Sequence, residues 1–248
     1  MEKNNIFKRR IIHIYILIFI VAIMLMITGV MMLKYNAEGE KNLPFNITKI
    51  STLCTAESKL YQREDGSWAS NIMQKNNIFF TIQKNENYKK EDSISKIVFS
   101  NFVINKENEL GTVNVYRPSK ENNEYTYSDE YIVLDNLEYE GSTKTNSELL
   151  QINNQGGVLG FSIATKDLGV YEVNANEKLA SDGTLLKKAG LSLEDVKLSI
   201  EFDLIIETEK GNKFKSHLKF DLPTDNILET GISKSEDTEL KNVIFKRF

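Results

Sequence analysis

The sequence predicts a mainly β protein: an N-terminal transmembrane helix, then an antiparallel β-sandwich-like extracytoplasmic region with one short helical segment. Three observations predict it. Ile11 to Leu33 is one apolar run whose only titratable side chain is His13, apart from the tyrosine hydroxyl of Tyr15. The remainder is built of short apolar runs rich in Ile, Val, Phe and Tyr, broken by Asn, Lys, Glu, Asp and Gly. Helical periodicity is nearly absent there.

The apolar run comes first. At about 1.5 Å per residue it spans about 35 Å, enough to cross a hydrocarbon core of about 30 Å with some tilt. His13 and Tyr15 lie one turn inside its start, where polar tips reach the interface. Lys3, Lys8, Arg9 and Arg10 precede the run, and Lys34 and Lys41 come after it. That bias predicts a cytoplasmic N-terminus and an extracytoplasmic C-terminal region. The run is longer than the apolar core of a cleaved signal peptide, about 7–15 residues. Residues 1–10 are read as a cytoplasmic tail, 11–33 as the span and 34–42 as a linker. Residues 43–248 form the β-domain, with a candidate subdomain boundary near the polar stretch 119–127.

Strands are expected near 45–54, 68–74, 77–84, 94–104, 111–116, 130–139, 158–164 and 169–174. The helical piece is 182–196, with Ser181 or Asp182 as a cap, Gly190 as a stop and a second turn beginning at Ser192. Asn242 to Phe248 reads as a last edge strand.

The clearest local signal is the pair 197–208 and 213–222. Leu198, Ile200, Phe202, Leu204 and Ile206 share one face of the first; Phe214, Leu218, Phe220 and Leu222 share one face of the second. Both sets are even-numbered, so facing residues must sum to an even number. That demands an odd-length loop, such as Lys210-Gly211-Asn212. This loop sets Glu207 opposite Lys215 and Asp203 opposite Lys219.

Composition narrows the chemistry. The net charge is −4. Four basic residues against Glu2 give +3 before Ile11, which leaves −7 for the rest. A mildly acidic domain argues against nucleic acid as partner. The single Cys54 excludes an intrachain disulfide and reads as a small buried apolar residue. One exported histidine, His217, excludes most zinc sites, and its alternation sets it on the wet face between Lys215 and Lys219. Thr52-Leu53-Cys54-Thr55 invites comparison with a sortase strand, but spacing and order depart from that family, since Cys54 precedes His217. Acid pairs such as Glu138 and Glu140, or Asp129 and Glu130, are the remaining inventory for hydrolysis. Gln155-Gly156-Gly157 reads as a turn or bulge entering a strand. Trp68 and the tyrosines Tyr116, Tyr125, Tyr127, Tyr131, Tyr139 and Tyr171 read as core or cross-strand residues before a sugar platform.

Lys34 to Phe45, Asn154-Gln155-Gly156-Gly157 and Asp221-Leu222-Pro223, with the basic start and uncharged span, resemble a group of single-pass membrane proteins of clostridia and related low-GC Gram-positive bacteria. The resemblance implies topology and source, and no activity. No catalytic, cofactor-binding or metal residue is assigned, and no cofactor. The expected partners are the lipid bilayer, through residues 11–33, and another envelope protein or a wall component. The expected role is a non-enzymatic, membrane-tethered binding or scaffolding domain; the alternative is a carboxylate-dependent envelope hydrolase.

Overall fold

A computed structural model describes residues 2–142, 149–173 and 183–248, with side chains from residue 12 onward. The chain forms two compact units, Met1–Lys41 and Asn42–Phe248.

The first unit is one helix, α1 (Glu2–Glu38). Its described apolar side chains, from Ile12 to Leu33, are exposed all round. It is long and apolar enough to span a membrane. The helix continues five residues past the apolar run. Gly39, at φ 69°, then turns the chain, and its amide donates to the Tyr35 carbonyl at 2.8 Å.

The second unit is a two-sheet sandwich. One sheet contains β1 (Phe45–Gln62), β2 (Trp68–Lys84), β4 (Thr112–Tyr116), β7 (Gly156–Val173) and β10 (Ile232–Asp237), in the order β10-β1-β2-β7-β4. The other contains β3 (Ile94–Lys106), β5 (Leu137–Gly141), β6 (Leu150–Ile152), β8 (Leu198–Thr208), β9 (Lys213–Asp221) and β11 (Lys246–Arg247), in the order β11-β9-β8-β3-β5-β6. All pairings are antiparallel except β5 with β6. Between the sheets, Phe80, Phe99, Phe161 and Phe202 form a lattice of rings with centroids 5.2–6.4 Å apart.

β1, β2 and β7 are longer than any strand of the second sheet. Their far halves pack instead on three one-turn helices, α2 (Leu185–Lys188), α3 (Leu193–Val196) and α4 (Ile227–Thr230). Cys54, Ile72, Leu168, Leu186, Val196 and Ile227 form this second, smaller core. Ser192 caps α3 through a reciprocal bond with Asp195, as the Ser-x-x-Asp spacing suggests.

The strands differ from the sequence reading in several places. The segments 68–74 and 77–84 are one strand, because Gln74 and Asn76 turn inward rather than forming a break. Gln74 Nε2 donates to the Val196 carbonyl at 2.9 Å and lies 3.2 Å from Cys54 Sγ. The segments 158–164 and 169–174 are likewise one strand through residue 173, with a bulge at Lys166–Leu168 and Asp167 at φ 55°; residue 174 lies outside the described residues. β1 runs eight residues past its expected end. Within 130–139, residues 129–131 form a 3-10 turn and the strand starts at Leu137. β6, Leu150–Ile152, is only three residues long, and β10 has one apolar residue, Ile232, so neither announces itself. Of the expected C-terminal strand, Lys246 and Arg247 pair with β9, and Phe245 is buried against Phe45. The caps expected at Ser181 or Asp182 lie outside the described residues.

The β8–β9 hairpin keeps the even parity. Its loop is Glu209-Lys210-Gly211, with Gly211 at φ 77° and Thr208 facing Asn212. This differs by two residues from the expected register. Glu207 faces Lys213, Glu201 faces Lys219 and Asp203 faces His217.

Candidate functional site

That register places His217, the one histidine of the β-domain, against the one carboxylate buried on the outer face of β8. Asp203 has a side-chain exposure of 7%, whereas His217 remains 59% exposed. His217 Nδ1 lies 3.0 Å from Asp203 Oδ1 and its Nε2 3.8 Å from Glu201 Oε2. Lys215 Nζ reaches Asp203 Oδ2 at 2.7 Å. Asn101 Nδ2 donates to the same oxygen at 2.6 Å from a bulge of β3, where Asn101 stands at φ 55°. Burial raises the Asp203 pKa, but the hydrogen bonds from Lys215, Asn101 and His217 together hold it below the usual carboxylate range. Glu201 is also lowered, chiefly by its bond from Lys219 at 2.5 Å. The ring nitrogens of His217 meet carboxylates and no hydroxyl or thiol among the described residues. These residues form a charge network on the wet face of a sheet.

Cys54 is fully buried, and desolvation pushes its thiol up to about 12. At ordinary pH it is a neutral thiol in the second core. Among the described residues, Glu138, Glu140, Asp129 and Glu130 do not line the hollows along β1. Glu138 points to the outer face and bonds Lys96 at 2.6 Å. Asp129 and Glu130 are exposed on the 3-10 turn. Of the aromatics, Tyr116 and Tyr127 meet edge to face with centroids 5.2 Å apart. Tyr116 and Tyr139 are buried, and Tyr139 donates to the Gly160 carbonyl at 2.5 Å. Tyr127 reaches Asn77 and Ser162, and Trp68 lies 45% exposed at the β1–β2 tip. Among the described residues, no three of His, Cys, Asp and Glu are grouped to hold a metal.

Two hollows lie beside the far half of β1. The smaller, about 370 Å³, lies between Glu57, Lys59, Asn71, Met73, Tyr127, Lys166 and Asp167. Its carboxylates are engaged: Glu57 by Lys75 and Asp167 by Asn71.

The larger, about 610 Å³, runs along an open sheet edge. β10 pairs with β1 only as far as Ile232 opposite Thr55. The last link is the Ala56 amide to the Gly231 carbonyl, at 2.8 Å. Gly231, at φ 70°, joins β10 to α4. Beyond Ala56, β1 pairs with β2 on one side only, through Gln62 opposite Trp68. Alternate residues of a strand aim their backbone groups to opposite sides. Ala56 faces the β10 side, so the N–H and C=O of Ser58 and Leu60 face the groove. Among the described residues no strand receives them. Thr55, Leu185, Thr230 and Ile232 form the groove walls. Sequence reasoning had no signal for this site, because it exists only where one strand outruns another.

No family model matches the chain, and no curated protein or solved structure matches it either.

Proposed function

We propose that this chain is a membrane-tethered, extracytoplasmic binding protein of the cell envelope, with its N-terminus in the cytoplasm and no catalytic role of its own. The observation that carries the reading is the groove on the open β1 edge, in a domain joined to a helix able to span a membrane. The excess of Lys and Arg before the span supports the orientation. A tether confines the domain near the membrane and raises its effective concentration for partners there, so a modest site suffices.

Protease treatment of intact protoplasts tests the topology: the β-domain is degraded and a tag at the N-terminus is protected. A photo-crosslinking side chain placed at Ser58, Leu60 or Ile232 tests the binding. A discrete adduct from these positions, but not from Lys219 on the other sheet, supports the reading. Uniform labelling of abundant membrane proteins from every position overturns it.

A further inference from the structure

We propose that the β1 edge at Ser58–Gln62 binds an extended polypeptide segment of another protein, which adds to the sheet as a strand in line with β10. The inference rests on the binding role proposed above and names the chemistry of the partner.

The edge itself specifies a peptide backbone. Ser58 and Leu60 offer alternating N–H donors and C=O acceptors at strand spacing, and only another extended chain presents the complementary row. β10 already occupies the same edge from Thr55 back to Ile50, so an incoming strand continues an existing ladder. Two devices that blunt an edge, proline and a bulge, are absent from this stretch: Ser58 to Gln62 contains no proline, and β2 pairs with it in unbroken register.

The walls select one strand rather than a second sheet. Leu185 of α2 and Thr230 of α4 flank the groove, and a second copy of this chain would carry the same helices into the space its own edge must fill. A single peptide brings no such wall. Side-chain preference comes from parity. Ser58 and Leu60 share the face of Cys54 and Ala56, so peptide residues on that face meet Leu60 and Leu185, both apolar. Residues on the other face meet Glu57 and the exposed Ile232. The best ligand therefore alternates apolar residues, on the helix side, with polar ones.

The test uses the full-length chain in lipid nanodiscs. The probe is a blocked peptide alternating valine with threonine, about six residues long, the usual strand length. At about ten times its Kd it slows amide exchange at Ser58 and Leu60 about tenfold. The same peptide N-methylated along one edge gives no slowing when that edge faces β1. Leu60→Pro removes one edge donor where proline is tolerated, at an open edge; it retains the melting temperature of the parent and loses the probe. Unchanged exchange at Ser58 and Leu60, equal protection by the methylated peptide, or self-association abolished by Leu60→Pro would each overturn strand addition. If crosslinked adducts still form from other surfaces of the domain while this edge stays unprotected, strand addition fails and the binding role stands.

Discussion

The two halves of the long sheet use the same three strands against different neighbours. In one half, Phe80 and Phe161 interleave with Phe99 and Phe202 of the opposing sheet, β2 is paired on both sides, and β10 pairs with the outer edge of β1 from Ile50 to Thr55. In the other half, a few side chains close on three single-turn helices, and β1 has no outer neighbour among the described residues. The first half is built to hold the fold. The second has fewer buried apolar groups and exposed backbone, the features of segments that open locally and receive ligands. Stability and the proposed binding surface are thus separated along one strand, within about 60 Å of extended chain at 3.3 Å per residue.

Four measurements challenge this division of labour. The largest effect is expected in the first half. Phe202→Ala removes a ring packed against Phe80, Phe99, Phe161 and Phe220. It should cost about 3–5 kcal/mol in urea unfolding, with the whole domain melting together. Leu186→Ala in the second core should cost about 2–3 kcal/mol, toward the low end for such a truncation. Hydrogen exchange should then rise in β1 beyond Cys54 and in the far half of β7, while β8 and β9 keep their protection. Equal loosening of both halves would show that the two cores are one cooperative unit.

Asp203→Asn tests the charge network that lies on the opposing sheet, outside both cores. Loss of its charged hydrogen bonds should cost about 1–3 kcal/mol at neutral pH. The sign with pH is set by the lowered pKa of Asp203. Its contribution is complete above the unfolded value of about 3.9 and disappears as pH falls through the lower folded value. The parent and Asp203→Asn should therefore converge in stability at strongly acidic pH, and a constant gap down to the lowest pH would exclude the network as its source. Lys219→Ala breaks an exposed pair with Glu201 and should leave the urea-unfolding midpoint close to that of the parent, with any difference shrinking in high salt. A larger loss would mean that the wet face carries more of the fold than its exposure suggests.

The candidate site was the least legible part of the sequence. Ser58, Leu60 and Gln62 come after the last buried residues of β1 without apolar alternation on a core face, so nothing local marks them as strand. They are held in strand form by β2, whose own inward residues there include Ser70 and Ile72. The strand that stops short, β10, was equally silent, because five of its six residues are polar. The buried Gln74 and Asn76 produced the opposite error. Polar residues usually mark a turn, yet the Gln74 amide is accommodated inside by a carbonyl from a distant helix.

Local spacing alone specified the apolar helix, the β class of the domain joined to it, and which face of β8 and β9 is dry. Each is a property of one segment: an apolar run long enough to replace water with lipid, or a period of two that sorts side chains to opposite faces. The register of His217 against Asp203, the joining of split strands and the place where β1 stands open emerged only in the folded domain. Those depend on which strand lies beside which and how far each one reaches. Backbone hydrogen bonds are nearly the same for every residue type, so that choice rests on the packing of all the strands together.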